Sequence, residues 1–133
     1  LLGKVGRKKE YQKYGGHTMN LENTDLLILW ATPDKDTAEN MVFMYARNAK
    51  LNNWWDKVTL LVWGGATRLI ATDTSFQDQL TQVREAGVEV IACKRCAEKL
   101  GFVQTLEDLG INVFYTGQFL TEWLKTDKKI LTL

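Results

Sequence analysis

Residues 88–101 read "VEVIACKRCAEKLG", and this stretch decides the fold. Residues 88–92 form a short, Val- and Ile-rich run of strand length. The following "KRCAEKL" (94–100) is charged and helix-favouring, and Gly101 stops it. A strand running straight into a helix is half of a β-α-β unit, and the rest of the chain repeats the succession.

Upstream, "LLILWA" (26–31) and "KVTLLVW" (57–63) read as buried strands. Between them a helix is expected over about 36–52. Ala38, Met41, Val42, Tyr45 and Ala49 fall on its apolar face, with Pro33 at or before its first turn. Gly64 and Gly65 break the second strand, and "ATRLIATD" is ambiguous between a loop and a single helical turn. Thr74 and Gln77 fit a capping box for a helix running to about Ala86, with Phe76, Leu80 and Val83 inward and Gly87 as its stop.

Downstream, "TLEDLG" (105–110) reads as a short helix capped by Thr105, and "INVFY" (111–115) as a fourth strand. "TGQFLTEWLKTD" (116–127) reads as a helix with Phe119, Leu120, Trp123 and Leu124 on its apolar side, and "KKILTL" as a candidate final strand. The expected fold class is therefore α/β: a three-layer α/β/α sandwich with a mainly parallel sheet of four or five strands, flavodoxin-like in style.

The chain has 133 residues, 45% hydrophobic and 25% charged, which suits one domain with its own core. Its formal charge of +1 gives no reason to expect a polyanionic partner. That sum hides an asymmetry. Residues 1–20 hold Lys4, Arg7, Lys8, Lys9 and Lys13 against Glu10, a net +4, so the remainder carries −3. The leader lacks the apolar core of a secretory signal. It is expected to be disordered or an upstream extension, with Met19 a candidate natural start and residues 21–133 the domain. Nothing approaches a membrane span. With two cysteines and no export signal, a reducing cytoplasm is the default location.

In parallel sheets, ligand sites gather beyond the carboxyl ends of the strands. "WATPDKD", "WGGATR", "ACKRC" and "YTGQ" should meet there, which puts Cys93 at a strand end and a helix start. A helix N-terminus stabilises a thiolate through its dipole and free N–H groups, and Lys94 and Arg95 add positive charge nearby. Cys96, one turn on, could pair with Cys93 as a disulfide or relay partner. Structural zinc wants four ligands, and the chain offers two cysteines and His17, so no metal site within one chain is expected. Thioredoxin-type chemistry fits poorly, because the pair follows the third strand and Pro33 is the only proline. A third reading makes the cysteines small buried residues. "WGGAT" lacks the pattern of a P-loop or dinucleotide fingerprint, so its glycines are read as turning the chain. No motif asks for an organic cofactor. Trp54 and Trp55, in "LNNWWDK", are expected on a surface turn as a subunit contact or a cover over the sheet edge.

Taken together, "VEVIAC", a short helix to "LG", the stretch "LEDLGINVF" and a following "TG" helix resemble the DsrE-like family, the DsrE/DsrF/DsrH and TusBCD group of small sulfur-handling proteins. The resemblance covers roughly residues 24–133. It implies a three-layer α/β/α fold, assembly into trimers or hexamers, and a persulfide-carrying cysteine after the third strand, the place of Cys93. It implies a sulfurtransferase or carrier that works with sulfur-donor and sulfur-acceptor proteins and without cofactor, with Cys96 an accessory thiol. Some members lack the cysteine. Two other readings therefore stand beside it: an oligomeric small-ligand-binding module with unreactive cysteines, and a Cys93–Cys96 dithiol redox switch.

Overall fold

The computed structural model describes residues 11–20 and 24–133. Strands β1 (Tyr11–Tyr14) and β2 (His17–Asn20) form an antiparallel hairpin, closed by Gly15 and Gly16 with φ of 55° and 85°. Both positive φ values are what a two-residue hairpin turn demands. The sequence reading does not foresee this hairpin, and residues 1–10 lie outside the described residues.

The domain is built on five strands: β3 (Asp25–Trp30), β4 (Lys57–Val62), β5 (Glu89–Cys93), β6 (Asn112–Phe114) and β7 (Lys129–Thr132). They lie in the order β6-β5-β4-β3-β7, and every pairing is parallel. The expected α/β class and all four apolar strands are thus present, and "KKILTL" does supply a fifth. Alternate side chains face opposite layers. Ile28, Trp30, Leu60, Val62, Val90 and Ala92 enter one core. Leu27, Leu61 and Ile91 enter the other, where Trp123 covers them. Leu27, Leu60, Leu61 and Ile91 are at most 1% exposed, and burying each such side chain stabilises the fold by roughly 1.5–3 kcal/mol.

The helices divide unequally. The first connection is one run of α1 (Lys35–Thr37), a π-helical segment (Ala38–Phe43) and α2 (Met44–Leu51). The wider π turns rotate the buried face relative to an ideal α-helix. Ala38, Val42, Phe43, Ala46 and Ala49 are buried, while Met41, expected inside, is 36% exposed. Phe43 then stacks on Phe76 and meets Trp30 edge-on, with ring centroids 5.6 and 5.2 Å apart.

The ambiguous segment after Gly64 is two full turns of helix, α3 (Gly65–Thr72), with Ala66 and Ile70 inward. A 3₁₀ turn (Thr74–Phe76) leads into α4 (Gln77–Ala86). The expected Thr74–Gln77 capping box does not form. Asp73 is the cap: its carboxylate accepts from the Ser75 N–H at 3.0 Å and the Ser75 hydroxyl at 2.6 Å. Gly87, at φ 104°, stops α4 as expected. Helices α5 (Lys94–Leu100) and α6 (Val103–Asp108) complete this layer. Helix α6 begins two residues before Thr105, which sits inside it rather than capping it.

The opposite layer is α7 (Gly117–Leu124), which carries the chain from the β6 edge back to β7 beside β3. Phe119, Leu120 and Trp123 face the sheet, but Leu124 is 58% exposed, so the apolar stripe is narrower than expected. The two adjacent indoles also separate. Trp55 packs against the core and donates its Nε1–H to the Tyr45 hydroxyl at 3.1 Å, whereas Trp54 is 54% exposed.

The capping assignment has a direct test. Asp73→Ala should cost about 1 kcal/mol in urea denaturation, the usual loss for an N-cap carboxylate. Thr74→Ala should cost clearly less. Equal losses would restore Thr74 as the cap.

Candidate functional site

Because all five strands run the same way, their carboxyl ends share one edge, and the loops singled out in the sequence do meet there. Ala66 N–H donates to the Ala31 carbonyl at 3.1 Å and Trp63 N–H to the Trp30 carbonyl at 2.9 Å, tying the loop after β4 to the end of β3. Gly64 has φ 54° and ψ −135°, a conformation open in practice only to glycine. Gly65 sits close to Pro33: a Cβ there would lie 3.1 Å from the proline ring, tighter than an ordinary contact, so the ring would have to give way by a few tenths of an ångström. The two glycines therefore do more than turn the chain. They let the Gly64 backbone come close to α5.

Cys93 is the last residue of β5 and the residue before α5. Its φ and ψ of −70° and 115° are still extended, and the helix begins at Lys94. It is 4% exposed, whereas Cys96, one turn into α5, is half-buried; both thiols are free. The sulfurs are close enough to influence each other's ionisation. Burial is the strongest influence on Cys93 and opposes its charge. The Cys96 N–H, the Thr116 hydroxyl, the Cys96 S–H and the Arg95 N–H together outweigh it, so the Cys93 thiol ionises below its ordinary value. These are loose dipolar contacts rather than a strict capping hydrogen bond, since no side chain caps the first turn of α5. Cys96 shifts the other way. Burial pushes it up, the Gly64 N–H offsets part of that, and the neighbouring Cys93 adds to the rise, with Lys99 a smaller counterweight. The pair is thus divided: Cys93 is the sulfur that ionises more readily, and the Cys96 S–H donates to it.

The fourth loop supplies what the sequence reading missed. Thr116 is fully buried, and its hydroxyl has no hydrogen-bond partner of good geometry among the described residues; the Cys93 sulfur is the neighbour it favours. Its position in "YTGQ", after an expected strand end, was the only available signal. Tyr115 beside it is 59% exposed and donates its hydroxyl to both Glu98 carboxylate oxygens, at 3.1 and 2.9 Å, which raises the phenol's pKa. The Lys94 ammonium lies 5.3 Å from the Tyr115 ring centroid. The loop after β6 is thereby fastened to α5 from outside, with Thr116 inside. Lys94 and Arg95 do not act on Cys93 as the sequence suggests: Arg95 contributes its backbone N–H, and Lys94 is engaged with the tyrosine.

No group of three His, Cys, Asp or Glu side chains that could hold a metal occurs among the described residues. No helix among them is long and apolar enough to cross a membrane.

A parallel three-layer sheet with a divided thiol pair at its carboxyl edge defines a class of small α/β thiol proteins. The comparisons are more specific. The family model described as the DsrE/DsrF-like family matches residues 25–133, and the chain belongs to that family. Among solved structures, it is similar to BT1422 of Bacteroides thetaiotaomicron, a conserved protein of unknown function. The two are 40% identical with a TM-score of 0.80, over 82% of this chain and 94% of that one. The YchN protein of E. coli shares the fold at 16% identity and a TM-score of 0.58, over 84% of this chain and 99% of that one. No curated protein matches the sequence.

The division of the thiols predicts two separate titrations. The pH profile of iodoacetamide labelling, read by peptide mass spectrometry, should give Cys93 a midpoint below that of an ordinary cysteine and Cys96 one above it. Cys96→Ala and Thr116→Val should each move the Cys93 midpoint upward. A Cys93 midpoint at or above Cys96's would contradict the assignment.

Proposed function

We propose that the protein is a cytoplasmic sulfur-relay protein in which Cys93 accepts a sulfane sulfur and passes it on. The observation that carries the reading is the set of donors around Cys93: two backbone N–H groups, the Thr116 hydroxyl and the Cys96 S–H, all favouring negative charge on one buried sulfur. Membership of the DsrE/DsrF-like family supports it.

In the loading step the Cys93 thiolate attacks the outer sulfur of a donor persulfide, R–S–SH. The S–S bond of the donor breaks and R–S⁻ leaves. The product is Cys93–S–SH, whose terminal sulfur ionises and rests against the same donors that held the thiolate. In the delivery step an acceptor cysteine on a partner protein attacks that terminal sulfur, and Cys93 departs as thiolate. A group that stabilises the Cys93 anion assists both directions, because the thiolate is nucleophile in one and leaving group in the other. Burial to 4% exposure shields the persulfide from oxidants, so donor and acceptor must present their sulfurs on narrow segments.

Incubation of the reduced protein with a persulfide donor should add the mass of one sulfur atom to the Cys93 peptide, reversibly with a reductant. Absence of the adduct, or its persistence in Cys93→Ser, would sink the proposal.

The protein also acts as a homo-oligomer, trimeric or hexameric, in this reading. Trp54, Tyr115 and Leu124 are each more than half exposed, and one layer of the sandwich is a single eight-residue helix. Light scattering at micromolar concentration should give a multiple of the 15.2 kDa chain mass; a monomer would count against assembly.

A further inference from the structure

A cavity of about 390 Å³ opens between α3 and α5, beside the thiol pair. It is within the size range of small-molecule sites. Pro33, the Gly64–Gly65 backbone and Leu100 give it largely apolar walls. Of the two cysteines, Cys96 lines it and Cys93 does not. Two cations complete the lining: Arg68 from α3 and Lys99 from α5.

The charge here is one-sided. No carboxylate lines the cavity. Neither Arg68 nor Lys99 forms an ion pair among the described residues. The nearby acids are engaged elsewhere: Glu98 holds the Tyr115 hydroxyl, and Asp73 pairs with Lys35 at 3.1 Å. Arg68 is steadied by the Phe102 ring, 5.7 Å from its guanidinium. An apolar cavity with two uncompensated cations and a sulfur in its wall fits a compact ligand with a short carbon body, one negative charge and a sulfur of its own.

We propose that this cavity admits a low-molecular-weight thiol bearing a carboxylate, whose sulfur attacks Cys96 Sγ in a Cys93–Cys96 disulfide and restores the reduced pair. The proposal rests on the reading of Cys93 as sulfur carrier, which supplies the disulfide. The Cys96 thiol gives up its proton and attacks the inner sulfur of Cys93–S–SH, an S–S bond forms between the cysteines, the S–SH bond breaks, and the leaving HS⁻ takes up that proton as H₂S. The sulfane sulfur is reduced to sulfide and the two cysteines are oxidised. The incoming thiolate RS⁻ then attacks Cys96 Sγ, forming Cys96–S–SR and releasing Cys93 as thiolate. A second RS⁻ attacks the ligand sulfur of that mixed disulfide, giving RSSR and Cys96 thiolate. The sum is one disulfide and two RSH converted to RSSR and two cysteine thiols. Geometry sets the direction. Cys96 is the sulfur an incoming ligand meets, and Cys93, buried among N–H donors, is the better leaving group.

The test uses the full chain oxidised with diamide and three thiols of similar size: 3-mercaptopropionate, 2-mercaptoethanol and cysteamine. Rates are expressed per thiolate, to remove differences in thiol pKa. Reduction should be fastest with the carboxylate and slowest with the amine. Exchanging both Arg68→Gln and Lys99→Gln should lower the carboxylate's advantage over the neutral thiol by about tenfold, as two partly exposed charge contacts allow. Arg68→Lys with Lys99→Arg should keep most of it and guards against loss through misfolding. In quenched samples the mixed disulfide should map to Cys96. Equal rates for the three thiols, a mixed disulfide on Cys93, or failure of diamide to join the cysteines would each overturn the proposal. Sulfur loading of reduced Cys93 by a persulfide donor is a separate readout and tests the carrier reading by itself.

Discussion

Five parallel strands can satisfy their hydrogen bonds only if each connection crosses back over a face of the sheet. That requirement shapes the rest of the molecule. It buries Leu27, Ile28, Leu60, Leu61 and Ile91 between helical layers, and it gathers every strand's carboxyl end on one edge. Pro33, Gly64, Cys93 and Thr116 lie at or just beyond the ends of four different strands, and they meet because those strands agree in direction. The site follows from the direction of the sheet, and no local motif had to encode it.

Within that edge, two identical side chains acquire different chemistry. Cys93 and Cys96 are one helical turn apart, and each is partly desolvated, which opposes charge on both. The balance is tipped by who faces which dipole. Cys93 meets the open N–H groups at the start of α5 and the Thr116 hydroxyl, while Cys96 has the Gly64 N–H and a negatively inclined neighbour. When two interacting thiols compete for one favourable environment, the first proton lost belongs to the pair as a unit, and the environment decides on which sulfur the charge rests.

The strands were legible because a parallel strand buried on both faces is apolar at nearly every position, as in "LLILWA" and "KVTLLVW". The expected placement of Cys93 followed from the same reading. Faces and caps were less legible. The periodicity placed Met41 inside, but the π-helical turns rotate it outward. Thr74 matched a capping pattern that Asp73, one residue earlier, fulfils in fact. Helix α3 was obscured by Gly64 and Gly65, whose conformational freedom reads as a loop. Trp54 and Trp55, adjacent and identical, both reach Tyr45 but diverge in exposure because only Trp55 also packs against the core. Thr116 and Arg68 were legible only as members of loops expected at the strand ends, and Lys99 carried no sequence signal of its own. Their significance comes from what stands across the gap from them, and spacing along one chain does not record that.

Strand β7 pairs with β3 across almost the whole domain: Leu26 stands opposite Lys129, and the Leu133 N–H donates to the Leu29 carbonyl at 2.8 Å. During synthesis, β3 is made well before β7. Until β7 has been made, one flank of β3 is an open, strongly apolar edge of the kind that recruits other chains. Helix α7, whose Trp123 covers the sheet face bearing Leu27, Leu61 and Ile91, is likewise made well after β3. Pairing of β3 on that flank therefore waits for β7, a contact between strands far apart in sequence, and until it forms "LLILW" is open to pairing elsewhere.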